Sequence, residues 1–330
     1  MHGPDSIEGA GPANGWTGGQ YGAARLVLAG CAAGAAGAYA APGSMLALVC
    51  LLAVLVAIGL YDRLAATALF VLWPITLLAA PIPSPVGLIA LPAALLLHLA
   101  VPPAPYGSWA ARGRADPGSG WALPDGVVRT ARVLLVAALA AETALGLLGA
   151  PSGGVMLVAG VLPLAVLGTD PGWIRPSTAH TPLLLLYDGA CGLCHRTVRF
   201  VLAEDHAAHV RFATLGGPTF ETTVPPHARA ELPDSLVVVT ADGTRLVRAR
   251  GIIEVGKALG GVWRVAATVL AAVPQRLADA AYDLLAGSRQ RLFARPDDVC
   301  PLMPPHMRER FPDLTAAGNA DTPGRSSATP

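Results

Sequence analysis

The stretch LLLLYDGACGLCHRTVRF occupies residues 183–200, and its reading decides the fold of the second half of the chain. Leu183 to Tyr187 form a short apolar run bounded by Pro182 and Asp188-Gly189, the pattern of a buried strand. From Gly192 the period changes. Leu193, Thr197, Phe200, Val201 and Leu202 recur at three- and four-residue spacing with Arg196 and Arg199 between them, which predicts a helix. Cys191-Gly-Leu-Cys194-His195 therefore sits where a strand hands over to a helix. A C-x-x-C-H run is the attachment pattern of a c-type haem, whereas a C-x-x-C opening a helix after a strand is a redox dithiol.

Working outward, a second strand is expected at 209–213 and a third at 236–240. Ala241-Asp242-Gly243 reads as a tight turn into a fourth strand at 244–249, because Asp-Gly between two such runs is a hairpin signal. Helices are expected at about 251–259, 262–272 and 275–293. Strand, C-x-x-C, helix, strand, hairpin and helix is the order of a thioredoxin-like α/β domain.

The same segment resembles the DCC family of thiol-disulfide oxidoreductases. The resemblance is carried by YDGACGLCHRTVRF, then LPDSLVVVTADGTRLVRARGIIEVGKALGGVWRV, then YDLLAGSRQRLFARPDDVCPL. It spans about 183–312 and rests above all on Asp188-Gly189-x-Cys191-x-x-Cys194. It implies thiol-disulfide exchange with a thiol or disulfide substrate, and no cofactor or metal. Ordinary thioredoxins place a cis-proline before the third strand. Here Pro233-Asp234-Ser235 stand there, and either Pro233 fills that role or Asp234 or Ser235 faces the sulfurs.

The residue types suit exchange chemistry. A thiolate, not a thiol, attacks a disulfide, and Cys191 at the start of a helix gains from the free N–H groups and the dipole there. Cys194, three residues on, faces the same way and can resolve a mixed disulfide. Asp188 either shuttles a proton or caps the turn. His195 need not face the sulfurs, since neighbours on a helix point about 100° apart; it reads as an exposed helical histidine. Cys300, in DDVCPLMPP, reads as a packed cysteine, with a third redox thiol as the other possibility. A zinc module using Cys191, Cys194 and Cys300 with His195 or His306 is the metal alternative, but only one C-x-x-C is present.

The first half has a different composition. The 330 residues are 53% hydrophobic and only 14% charged, and residues 1–180 hold seven of the acids and seven arginines without a lysine. Six apolar stretches, at about 24–41, 44–60, 64–80, 86–101, 133–149 and 154–168, predict an α-helical membrane bundle. Arg25, Arg63, Arg112, Arg114, Arg129, Arg132 and Arg175 all fall before, between or after these stretches on one side. By the positive-inside rule that side is cytoplasmic, which puts the dithiol in the cytoplasm and argues against haem attachment. Glu142 lies inside the fifth stretch, where a proton or quinone role, with the dithiol feeding a membrane electron carrier, stands beside a simple hydrogen-bonded one. His98 reads as a polar anchor near the interface. Cys31 and Cys50 read as small packing residues.

The expected organisation is a disordered 1–20, a transmembrane region over 21–175, a thioredoxin-like domain over 181–313 and a disordered 314–330. The expected location is a multi-pass cell membrane protein with a cytoplasmic redox domain. The long apolar face over 262–293, interrupted by arginines, is expected chiefly to cover the sheet and in part to pack on the cytoplasmic ends of the spans or on the membrane surface. A net charge of +1 gives no reason to expect a nucleic acid partner.

Overall fold

The computed structural model describes residues 14–38, 43–77, 85–103, 108–109, 121–149, 154–174, 182–189, 192–229, 232, 236–292 and 305–314. Among these, residues up to Trp173 form one compact unit and those from Ile174 onward another.

The first unit is helical. Helices α1 (Gly18–Ala38), α2 (Gly43–Ile58), α3 (Asp62–Leu77), α4 (Pro85–Leu99), α5 (Asp125–Leu147) and α6 (Gly154–Gly168) follow the six apolar stretches. Leu28, Val49, Val56, Leu69, Leu91, Leu95, Met156 and Leu164 build its core. Helices α4 and α6 approach closely. A Cβ on Gly160 would stand 2.7 Å from that of Ala90, and one on Gly87 would strike the Met156 carbonyl. Small residues of this kind let two helix backbones meet.

The expectation of six spanning helices narrows here. Among the described residues only α5, at 23 residues, is long and apolar enough to cross a membrane. Helices of 15 or 16 residues, such as α2, α4 and α6, rise only about 24 Å at 1.5 Å per residue. Helix α5 leaves Val133, Val136, Leu139 and Leu147 exposed on the outside of the unit. Glu142 lies half-buried on this helix.

Three expectations for the first unit are corrected by its packing. Residues 14–20 are not a loose polar leader. Trp16 is buried and donates from Nε1 to the Thr169 carbonyl at 3.0 Å, and Asn14 donates to the Leu123 carbonyl at 2.9 Å. Arg25 does not precede the first helix but lies inside it, 1% exposed, 3.4 Å from Asp62. His98 is not a solvent-facing polar residue: it is 2% exposed, with Nδ1 2.6 Å from the Tyr21 hydroxyl and Nε2 3.7 Å from Asp62. Arg63 donates to the Val101 carbonyl and Arg132 to the Gly168 carbonyl. These groups join the starts of α1, α3 and α5 to the ends of α4 and α6. Cys31 packs half-buried against the core, and Cys50 is half-buried too.

The second unit is built on a four-stranded mixed sheet in the order β2-β1-β3-β4. Its strands are β1 (Leu183–Tyr187), β2 (Val210–Thr214), β3 (Val237–Val239) and β4 (Arg245–Val247). β1 runs parallel to β2, with Leu183 beside Val210 and Leu185 beside Phe212. β3 is antiparallel to both β1 and β4. Period-two alternation sends Leu183, Leu185 and Tyr187 to one face and Leu184 and Leu186 to the other. Helices α7 (Gly192–Glu204) and α10 (Arg248–Leu259) cover the first face with Val198, Val201, Leu202, Val255 and Ala258. The short helices α8 (Pro218–Thr223) and α9 (Pro226–Arg229) bring Val224 and Ala228 to the second.

Helices α11 (Gly261–Ala271) and α12 (Gln275–Leu292) do not cover the sheet as the sequence suggested. Val265, Val269, Val273, Leu277 and Leu284 are exposed, and Leu284 reaches 78%. The fourth strand is also shorter than expected. It stops at Val247, because Arg248 takes φ +54° and turns the chain directly into α10.

The outer edge of β2 is closed by a segment from far along the chain. After α13 (Pro305–Arg308), the Phe212 N–H donates to the Arg310 carbonyl at 2.9 Å. The Arg310 guanidinium bonds the Asp205 carboxylate at 2.5 Å and the Val210 carbonyl at 2.7 Å. Phe311 stacks on Phe212, and Asp313 accepts from the Thr219 N–H at 2.9 Å.

Candidate active site

The C-x-x-C segment lies between the end of β1 and the start of α7. Residues 190 and 191 are outside the described residues, as are Pro233, Asp234, Ser235 and Cys300, so the expectations for Cys191 and Cys300 and for the residues before β3 lie outside the described residues. Cys194 falls in the backbone of α7, whose first residue, Gly192, directly follows Cys191 in the chain.

What is described is the frame around this segment. Tyr187 is buried at the end of β1, and its carbonyl accepts the Leu215 N–H at 2.9 Å. Asp188 is half-buried next to it. His195 is not the exposed helical residue the sequence suggested. Its Nε2 is 2.8 Å from the Gly189 carbonyl, and its ring meets Tyr187 edge-on with centroids 6.0 Å apart. A carbonyl only accepts, so the imidazole donates and carries its proton on Nε2. The sequence contained both residues, but nothing in the spacing announces which way the ring turns.

Helix α7 is fixed at its far end as well. The Trp263 indole donates from Nε1 to the buried Glu204 carboxylate at 2.6 Å, and its ring meets Phe200 edge-on at 4.9 Å. One residue on, Asp205 accepts the N–H groups of His209 and Val210 at 3.0 and 2.8 Å and the guanidinium of Arg310. The Asp205 carboxylate beside His209 raises that imidazole's pKa, while burial lowers that of His206. Neither Glu204 nor Asp205 was singled out from the sequence, because their partners lie 59 and 105 residues away.

Among the described residues no three His, Cys, Asp or Glu side chains come together as a metal site. The ligands of the zinc alternative, Cys191, Cys194 and Cys300, are not among the described side chains.

Residues 185–295 match the model of a family described as DCC1-like thiol-disulfide oxidoreductase. The chain is 30% identical over 132 residues to YuxK, an uncharacterized protein of Bacillus subtilis, covering 39% of this chain and 92% of that one. It is 25% identical over 114 residues to a chloroplastic DCC family protein of Arabidopsis thaliana, covering 34% and 66%. No solved structure matches.

Proposed function

The chain belongs to the DCC1-like thiol-disulfide oxidoreductase family through residues 185–295, and from that premise we propose that it is a membrane-bound thiol-disulfide oxidoreductase whose working dithiol is Cys191 and Cys194. The observation that carries this reading is the strand–helix junction onto which the C-x-x-C of the sequence maps: β1 ends at Tyr187, α7 starts at Gly192, and Tyr187 and His195 on either side are held by hydrogen bonds. The order β2-β1-β3-β4, parallel at β1–β2 and antiparallel beyond, supports a thioredoxin-like domain.

In this reading the Cys191 thiolate attacks one sulfur of a substrate disulfide. A mixed disulfide forms and the first substrate thiolate leaves. Cys194, as thiolate, then attacks the Cys191 sulfur, the second substrate thiolate leaves, and the enzyme keeps the disulfide. Two electrons pass to the substrate, and the protons of the dithiol end on its two thiols. A reducing thiol of the same compartment runs the sequence backwards and regenerates the dithiol. Asp188, at the strand end, takes or returns the Cys194 proton.

Three observations support the membrane assignment. Helix α5 is 23 residues long and carries an exposed apolar surface. The other helices of the first unit follow apolar stretches of sequence, so a six-span bundle over 21–175 is part of the proposal. Arg25, Arg63 and Arg132 all bond at the end of the unit where α1 and α3 start and α4 and α6 finish. A single basic end supports a cytoplasmic orientation for that end, and with it a cytoplasmic redox domain over 181–313. Membrane lipid is then a partner of the chain, beside its thiol substrate.

Trapping tests the redox reading. Cys194→Ser should accumulate partners as mixed disulfides on Cys191, released by dithiothreitol. A double Cys191→Ser, Cys194→Ser chain that traps the same partners would defeat it.

A further inference from the structure

The bond between His195 and Gly189 stands at an unusual place in the chain. Gly189 is two residues before Cys191, and His195 is the residue after Cys194. The 2.8 Å contact therefore joins the chain just before the first cysteine, at the end of β1, to the first turn of α7 just after the second. The imidazole is also held from behind, edge-on to the buried Tyr187 ring. Tyr187 is fixed in turn by the Leu215 N–H on its carbonyl. The strand end, the histidine and the helix start are thus one connected piece.

Resting on the oxidoreductase reading, we propose that His195 is a positioning residue for the dithiol: its Nε2–H staples the Gly189 carbonyl to α7 and so sets the geometry of the intervening segment. The proton of Nε2 is committed to the carbonyl, so His195 takes no part as acid or base through that nitrogen. Its contribution is orientation. Attack by a thiolate on a disulfide needs the nucleophile aligned along the S–S axis, and a misplacement of about 1 Å in such a step costs up to about a hundredfold. A loop held by one side-chain bond has less to lose than that, and roughly a tenfold slowing is expected when the bond goes.

The test uses the full chain in detergent or nanodiscs, in a Cys194→Ser background, with a small aromatic disulfide as probe. The rate of mixed-disulfide formation at Cys191 is read at fixed pH. His195→Ala should be slower by about tenfold. His195→Phe keeps a ring against Tyr187 but has no donor, and should be as slow as His195→Ala. His195→Gln places an amide N–H near the position of Nε2 and should recover most of the rate. Deuterium exchange of the peptide covering 187–197 is read in the same variants. It should rise in His195→Ala and His195→Phe and stay near the parent level in His195→Gln. A His195→Phe variant with parental rate and parental exchange overturns the staple. So does a His195→Gln variant as impaired as His195→Ala while exchange elsewhere in the sheet is unchanged. If the parent forms no mixed disulfide at all, the oxidoreductase reading fails instead, and the exchange pattern still decides the staple.

Discussion

Asp205 ties the end of α7, the start of β2 and the Arg310 segment together. Its carboxylate accepts two backbone N–H groups at the start of β2 and the Arg310 guanidinium, and it is 1% exposed at the side chain. Removing one partner of such a pair leaves a buried charge behind, which costs about 3–5 kcal/mol. Arg310→Ala should therefore destabilise the second unit by about 3 kcal/mol, the lower end, because Asp205 keeps its two backbone donors. Loss of exchange protection at the Phe212 amide is the measurement. His209 gives the pH dependence of the same corner. Its pKa is raised by Asp205. A raised imidazole stabilises the fold fully below its unfolded pKa of about 6.5 and ceases to do so as pH climbs through the folded value. His209→Gln should then lower stability at pH 5.5, by about 0.5 kcal/mol for so partly exposed a pair, and match the parent at pH 8. Equal differences at both pH values would rule the ion pair out as the cause.

At the scale of elements, the two helices α11 and α12 present the sharpest demand. Their apolar residues Val265, Val269, Leu277 and Leu284 are exposed, and the sheet is already covered by α7 and α10. If the second unit meets a bilayer, the α11–α12 surface is the apolar face it offers, and Arg264 and Arg276 suit an anionic interface. A spin label at Val269 in nanodiscs of anionic lipid should be accessible to oxygen and shielded from a water-soluble nickel complex. The reverse accessibility would remove lipid as the occupant. The close pair α4 and α6 makes a second demand. Gly160→Val pushes a side chain onto Ala90 at a site with no room, and about 1–3 kcal/mol of destabilisation is expected, seen as earlier thermal aggregation of the full chain.

The same scale shows what sequence reveals and what it withholds. The run at 183–187 was legible as β1 because Pro182 and Asp188-Gly189 bracket it and both faces are buried. The change to helical period at Gly192 located α7 to the residue. The β4–α10 boundary was not legible, since Arg248 adopts a left-handed backbone that its side chain does not signal. The short helices α8 and α9 hide in a stretch of prolines and threonines with too few apolar residues to show a period. At the site, Asp188, Cys191 and Cys194 stood out by spacing alone. The contacts that frame them, His195 on Gly189 and Trp263 on Glu204, depend on rotamers and on the approach of distant elements.

For the molecule as a whole, orientation is the testable matter. An alkaline phosphatase fusion after residue 175 should be inactive and a green fluorescent protein fusion at the same point bright, if the basic end faces the cytoplasm. An active phosphatase there would place the dithiol outside. The clasp of Arg310 on β2 has a further consequence, for biosynthesis. Arg310 follows Val210 by 100 residues. At about 5–20 residues per second, β2 leaves the ribosome roughly 5–20 s before the segment that closes its edge. During that interval the nascent chain offers an open strand to any neighbour. A chain stalled before residue 305 is then the form most in need of a holding chaperone, and translation of the clasp segment ends that need.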